Sequence, residues 1–126
     1  MKKLVILLVF ITAFANAQIV NIPDANFKAK LISLGIDSNG SGEIDAFETT
    51  FVSDLHVENS NINSLIGISA FTNLNILYCD GNNLTFLDLS SNVNLTFLSC
   101  RLNQITFLNL SNNPNLTDVL ADSNQL

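Results

Sequence analysis

The chain has 126 residues, 48% of them hydrophobic, and carries eleven acidic against five basic side chains. This length allows one domain or part of a repeat array. Because a net charge of −6 repels phosphate backbones, nucleic-acid binding is excluded as a leading function.

Residues 1–17 have the three-part layout of a secretory signal peptide. Lys2 and Lys3 precede an apolar run over 4–11, and residues 15–17 form a small-x-small cleavage site. The apolar run is too short for a membrane-spanning helix. We therefore expect export, with a retained membrane anchor as the alternative. Cleavage leaves three basic and eleven acidic residues, a net charge of −8 and no membrane span.

Residues 18–51 are expected to form a small helical cap. Phe27, Leu31 and Leu34 recur at i, i+4 and i+7, which is typical of one helix face. Pro23 lies at a plausible helix start.

Within this cap, DSNGSGEIDAFE (37–48) has the pattern of an EF-hand calcium loop. Such a loop places oxygen ligands at positions 1, 3, 5, 7, 9 and 12 and glycine at position 6, which is Gly42 here. Ile44 is the apolar eighth residue. The expected metal ligands are Asp37, Asn39, Ser41, the carbonyl of Glu43, Asp45 and Glu48.

The flanks of the loop depart from an EF-hand. Gly35 falls two residues before Asp37, where an entering helix normally continues, and no second loop is present to pair with this one. Phe47, Phe51 and Val52 indicate a short exiting turn. With three carboxylates, we expect weak, structural calcium binding with Kd of about 10⁻⁴ to 10⁻³ M. The alternative is an Asp/Asn/Gly-rich turn without an ion.

Residues 52–126 repeat with a period of 21 or 22 residues. The units are 52–73, 74–94, 95–115 and a partial unit 116–126, and they share the pattern L-x-x-L-x-L-x-x-N-x-L. This pattern resembles the leucine-rich repeat family. It implies one short strand per unit, and units that stack to share a core, with the leucines at 77, 87, 98 and 108 buried.

Asparagines recur where the chain leaves each strand, at 82, 103 and 124, with Ser60 in the first copy. Their amides are expected to bond backbone groups at the turn. The second half of each unit, LTFLDLS or ITFLNLS, alternates apolar and polar residues and predicts a second short strand.

The predicted fold class is therefore α/β, mostly β: a solenoid of short parallel strands with a small helical cap. Its C-terminal end is open, because the array stops in mid-unit without a capping sequence. We expect the chain to be the N-terminal piece of a longer protein or a truncated product.

Other repeated side chains have two interpretations each. Phe86 and Phe107 recur on the expected outer surface. They form either a stacked aromatic ladder or a partner-binding stripe. Cys79 and Cys100 occupy the same inward position of adjacent repeat units. They are either two buried thiols or a disulfide.

Catalytic residues are not predicted, because His56 is the single histidine and no G-x-S-x-G elbow occurs. The outward strand positions form rows whose residues vary from unit to unit, as a recognition surface would. The candidate partner-binding residues are His56, Glu58, Ile76, Tyr78, Asp80, Phe97, Ser99 and Arg101.

The stretch NIPDANFKAKL, the loop and LIGISAFTNL resemble the start of secreted leucine-rich-repeat proteins of Bacteroidetes-type bacteria, and the 22-residue unit resembles internalin repeats. The resemblance implies a cap that covers the first core layer. It also implies an exported protein, secreted or on a bacterial cell surface, that acts as a protein-interaction or adhesion module. The expected partner is an extracellular protein or a glycan. The alternatives are a glycan-binding module attached to an enzyme in a longer parent protein, and a purely structural stalk.

Overall fold

A computed structural model describes residues 18–126, so the predicted signal peptide lies outside the described residues. No helix within 18–126 has the length and apolar character needed to cross a membrane. The elements in chain order are helix α1 (Ala25–Ser33), helix α2 (Ala46–Thr49), strand β1 (Asp54–His56), a 3-10 helix (Ile68–Ala70), and strands β2 (Ile76–Tyr78), β3 (Phe97–Ser99) and β4 (Asp118–Leu120).

The four strands form one parallel sheet in the order β1-β2-β3-β4, with one strand from each repeat unit. Leu55 pairs with Leu77, Leu77 with Leu98, and Leu98 with Val119, so the repeat period fixes the strand register. The predicted solenoid of short parallel strands is therefore confirmed. Consecutive coils stack along the direction of the backbone hydrogen bonds, and each adds one layer to a shared core.

The inward leucines fill this core. Leu77, Leu87 and Leu98 are buried, as predicted from the register. Leu108 is only partly buried, which corrects the prediction for this position. The physical reason is that the partial unit 116–126 covers its layer only in part, and Val119 in that unit is itself 40% exposed.

The prediction of a second strand in each unit is wrong. Residues 84–90 and 105–111 contain no strand, although Leu84, Leu87 and Leu89 point into the core. A regular ladder between coils does not form there, and the turn closed by Asn92 N and Leu89 O at 2.9 Å follows.

The recurring asparagines close the turns after the strands, as predicted. Asn103 Nδ2 donates to the carbonyls of Cys79 at 3.0 Å, Cys100 at 3.1 Å and Arg101 at 3.0 Å. Its Oδ1 accepts from Leu84 N at 3.0 Å. Each such amide therefore joins its own turn to the preceding coil.

A second set of asparagines, which the sequence analysis missed, has the same role on the opposite side of the coil. Asn92 Nδ2 donates to Ile68 O and Phe71 O, and Asn113 Nδ2 donates to Leu89 O and Asn92 O. Both side chains are buried. The sequence does carry a signal for this set, because Asn92 and Asn113 are 21 residues apart, which equals the repeat period.

Helix α1 differs from its prediction at both ends. Asp24, and not Pro23, caps its N-terminus by accepting from the N–H groups of Asn26 and Phe27. Its C-terminus precedes Leu34, which is 43% exposed instead of packed with Phe27 and Leu31. The helix stops there because Gly35, with φ of 77°, turns the backbone away.

We expect Asn103→Ala to lower the free energy of unfolding by about 1–3 kcal/mol, because Leu84 N loses its acceptor in the interior and three carbonyls each lose one of two donors. The exposed Asn112 provides the matched control, since Asn112→Ala removes the same atoms from the surface. Urea denaturation of both variants measures the difference. Equal midpoints for the two variants would contradict the structural role of Asn103.

Candidate functional site

The solvent side of the sheet, which we call the sheet face, consists of alternate residues along and just beyond the strands. The ladder continues past the strand ends, since Val57 N bonds Tyr78 O and Asn59 N bonds Asp80 O at 2.9 Å. Alternate side chains therefore share one face. Its members are Asp54, His56, Glu58, Ile76, Tyr78, Asp80, Phe97, Ser99, Arg101, Asp118, Leu120 and Asp122.

Three rings form a continuous stack across the sheet face. The His56 and Tyr78 rings are parallel to within 14°, with centroids 4.6 Å apart. The Tyr78 and Phe97 rings are tilted by 40°, with centroids 4.9 Å apart. Because strands β1 and β2 place His56 directly opposite Tyr78, the register itself creates the first contact. The stack is a preordered, partly apolar surface.

Polar contacts order the row beyond the strand ends. Asp80 Oδ1 accepts from Ser99 Oγ at 2.7 Å and from Arg101 N at 2.6 Å. Arg101 Nε donates to Asp122 Oδ1 at 2.8 Å, and His56 Nδ1 lies 3.2 Å from Glu58 Oε1. Each carboxylate of this row therefore has a polar partner on the sheet face.

Ser99 differs from the other predicted partner-binding residues. It is only 1% exposed, and its hydroxyl is engaged by both carboxylate oxygens of Asp80. Ser99 thus orients Asp80 and offers little surface to a partner. The remaining predicted residues, namely His56, Glu58, Ile76, Tyr78, Asp80, Phe97 and Arg101, are all exposed or partly exposed.

In the cap, the 37–48 loop folds around the carboxylate of Glu48, which is only 4% exposed. Oε1 accepts from Ser38 N at 2.7 Å, Ser38 Oγ at 2.9 Å and Asn39 N at 3.2 Å, and Oε2 accepts from Asp45 N at 3.1 Å. Burial raises the pKa of Glu48, but these hydrogen bonds outweigh burial and lower the pKa overall. Glu48 is therefore a buried anion held by backbone and hydroxyl donors.

Asp45 belongs to the same arrangement. Its Oδ1 accepts from Phe47 N at 2.9 Å and Glu48 N at 3.0 Å, which caps helix α2 and completes a reciprocal capping box with Glu48. Helix α2 is the short exiting turn that the sequence predicted. Ile44, in the eighth position of the loop, is completely buried.

The other predicted ligands approach one another in pairs. Ser41 Oγ lies 3.2 Å from the Glu43 carbonyl, and Asn39 Nδ2 lies 3.1 Å from Asp45 Oδ2. The Asp37 carboxylate receives the N–H groups of Ser41 and Gly42 at 3.0 and 2.9 Å. Gly42 takes the positive φ, 81°, that the sharp turn of such a loop requires.

All six predicted positions have an oxygen atom that can coordinate a metal, which suits a hard cation such as Ca²⁺. The carboxylates do not converge on one point, however. Among residues 18–126, no three Asp, Glu, His or Cys side chains form a metal-holding group. Asp45 and Glu48 are instead directed at backbone N–H groups. Calcium binding by this loop stays a prediction.

The N-terminal segment 18–20 covers the edge of the loop. Val20 N donates to Ile44 O, and Ala46 N donates to Gln18 O, both at 2.8 Å, in an antiparallel bridge. The segment then passes Gly67, where an added Cβ would lie 2.7 Å from Ile22 Cγ1. Segment, loop and first repeat are thus in direct contact.

Asp24 attaches the cap to the repeats, a role the sequence analysis missed. Its Oδ1 caps α1, and its Oδ2 accepts from Asn63 N at 2.8 Å and Ser64 N at 3.1 Å in the first unit. Burial raises the pKa of Asp24, but the four backbone hydrogen bonds outweigh it and lower the pKa overall. The only signal in the sequence was an Asp one residue before the helical pattern.

Both cysteines are free thiols in the core, as the first of the two interpretations expected. Burial, together with the proximity of Cys100, Asp80 and Glu58, raises the pKa of Cys79 well above its usual value. Burial and the nearby carboxylates of Asp80 and Asp122 raise the pKa of Cys100 to about 11. Both thiols stay protonated and unreactive at neutral pH.

Phe86 and Phe107 are on the surface, at 64% and 67% exposure, but they do not stack on each other within the described part of the chain. The stacked-ladder interpretation is therefore wrong. Phe86 lines one groove of about 210 Å³ with residues 64–69, and both rings line a second groove of about 260 Å³.

No protein-family model matches the chain, and a comparison with curated proteins gives no match. Among solved structures, the functional domain of InlJ from Listeria monocytogenes, described as including a cysteine ladder, is 34% identical, with a TM-score of 0.76. The match covers 86% of this chain and 24% of that one. An internalin (InlF) from Listeria monocytogenes is 27% identical, with a TM-score of 0.77, over 90% of this chain and 34% of that one.

The chain thus spans about a quarter to a third of the length of these two proteins. Their similarity confirms the predicted fold class, a leucine-rich-repeat solenoid of the kind found in bacterial internalins.

We expect Asp24→Asn to lower the free energy of unfolding by about 1–2 kcal/mol at pH 7, because the cap loses an anionic acceptor. The lowered pKa of Asp24 means that its contribution is present above the ordinary value of 3.8 and is lost as the pH falls through the folded-state pKa. The difference between variant and wild type should therefore shrink on acidification.

Denaturation curves between pH 7 and pH 3 measure this difference. The control is Asp118→Asn, which removes an exposed carboxylate far from the cap. A difference for Asp24→Asn that stays constant with pH would contradict the assigned role.

Proposed function

We propose that the protein is an exported, non-catalytic module for protein interaction or adhesion, and that it binds an extracellular protein through the sheet face. The observation that carries the proposal is the partly exposed ring stack of His56, Tyr78 and Phe97 on a regular scaffold. Aromatic side chains are enriched at the energetic centres of protein interfaces. The likeness to internalins supports an interaction role for this fold.

Ring orientation favours a protein over a glycan as the partner. A sugar binds by lying on a free ring face, but the Tyr78 ring has His56 on one side and Phe97 on the other. The Tyr78 ring therefore has no free face for a sugar, and it lies in a partly exposed, uneven surface. Such a surface suits the side chains of a protein. The glycan-binding module and the structural stalk remain the alternative functions.

We also propose that the cap binds a structural calcium ion. Asp37, Asn39, Ser41, Glu43, Asp45 and Glu48 would supply oxygen atoms to it, and bound calcium would offset the mutual repulsion of three carboxylates in an acidic chain. The loop already contacts segment 18–20, which also reaches Gly67 in the first repeat. An ion there would stabilise the junction between cap and repeats, and it would not act as a switch.

We expect the double variant Tyr78→Ala, Phe97→Ala to lose capture of the extracellular partner while its unfolding midpoint changes little, because both side chains are partly exposed. The matched control is Phe86→Ala, Phe107→Ala, which removes two exposed rings from the other side of the coil. Pull-down from host cells or matrix, with identification of the captured proteins, compares the three forms. If capture depends on Phe86 and Phe107 instead, the interface lies on the other side of the coil and the proposal is contradicted.

We expect calcium to raise the free energy of unfolding by about 1.4 kcal/mol at ten times its Kd, because the ion binds the folded state alone. Thermal melting with calcium or chelator, together with calorimetric titration, tests this. Asp37→Asn should abolish the effect, and Asp88→Asn, outside the loop, should retain it. The absence of both a melting shift and titration heat in the wild type would leave the loop as a turn without an ion.

A further inference from the structure

The acidic residues of the repeats are concentrated on the sheet face. Residues 52–126 contain six acidic side chains and one basic side chain, Arg101. Five of the six acids lie on the sheet face, and the sixth, Asp88, lines the grooves on the other side of the coil. Because Arg101 is paired with Asp122, the rest of the sheet face has a negative field without a strong cation of its own.

Not all five acids are equally available. Asp80 is occupied by Ser99 and Arg101, Glu58 lies beside His56, and Asp122 pairs with Arg101. The other two are exposed. Asp54 accepts one hydroxyl, from Ser53 at 3.1 Å, and Asp118 accepts one hydroxyl, from Thr117 at 2.8 Å. Within residues 18–126, neither is part of an ion pair.

These two carboxylates lie at opposite ends of one row across the sheet. The strand register places Asp54 opposite Ile76, Ile76 opposite Phe97, and Phe97 opposite Asp118. The row therefore reads acid, apolar, apolar, acid, and Ile76 and Phe97 are partly exposed between the carboxylates. Three strand spacings of about 4.8 Å separate its ends by about 14 Å.

We infer that this row, Asp54–Ile76–Phe97–Asp118, binds an extended, basic peptide segment of a protein partner that crosses the strands. Basic residues four positions apart span about 13 Å in an extended chain, at about 3.3 Å per residue, which matches the separation of the two carboxylates. Apolar side chains between them would contact Ile76 and Phe97. The aliphatic stems of lysine or arginine also pack on apolar surface while their charged ends reach a carboxylate.

This inference rests on the proposed function and specifies the partner's chemistry. The test uses three fluorescein-labelled, nine-residue peptides of equal length. The first has two arginines four positions apart with valines between them, the second has the same composition with adjacent arginines, and the third has glutamates in place of the arginines. Fluorescence anisotropy at low and high salt measures their binding to the protein.

We expect the spaced arginine peptide to bind most tightly, and its affinity to fall as salt is raised, because screening weakens exposed charge pairs. Asp54→Asn and Asp118→Asn should each weaken binding by about three- to fivefold. Asp88→Asn removes the same charge from the other side of the coil and should leave the affinity unchanged.

Equal affinity for the three peptides, or an equal loss with Asp88→Asn, would overturn the inference. Failure of the peptide to bind, while Tyr78→Ala, Phe97→Ala still abolishes partner capture, would overturn the basic-segment inference alone. Partner capture that is insensitive to the Tyr78 and Phe97 changes would instead overturn the proposed function.

Discussion

Buried backbone carbonyls at the turns of each coil need hydrogen-bond donors, and the side-chain amides of asparagine supply them. Asn103 alone serves three carbonyls on two coils, and Asn92 does the same for two carbonyls on the opposite side. Without the amides after the strands, Cys79 O and Cys100 O would lose these donors beside a leucine core, at a cost of about 1–3 kcal/mol each, whereas the carbonyls that Asn92 bonds also accept backbone N–H groups. The stacking of coils therefore depends on the asparagines after the strands as well as on the leucines.

In the cap, backbone N–H groups need acceptors, and carboxylates supply them. Asp24, Asp45 and Glu48 each accept several backbone N–H groups at helix starts and in the loop. Their charges are thus engaged in holding the cap together before any metal is considered. A calcium ion at this loop would have to share Asp45 and Glu48 with the backbone, which agrees with an expectation of weak affinity.

Inward leucines and asparagines hold the scaffold, so most outward strand positions have no structural role, with Ser99 and Asp80 as the exceptions. The register then determines which outward residues meet. It brings His56 onto Tyr78, and it aligns Asp54 and Asp118 with two apolar side chains between them. The proposed recognition surface therefore joins residues of different strands that are about 20 or more positions apart in the chain.

The sequence by itself determined the repeat period, the inward leucines, the turn asparagines after the strands and the order of oxygen donors in the loop. These features depend on local spacing, and the 21-residue period fixes the strand register directly. Sequence reasoning also failed at two local points. It assigned a strand to residues 84–90, where no strand forms, and it placed Leu34 in a helix face that Gly35 interrupts.

Only the tertiary structure decided that Asp24 attaches the cap to the first repeat, that segment 18–20 covers the loop, and that Ser99 lies beneath Asp80. Each of these outcomes is a hydrogen bond between groups far apart in sequence. Such bonds form where the stacked coils happen to bring a donor to an acceptor, and no local pattern of residue types encodes that geometry.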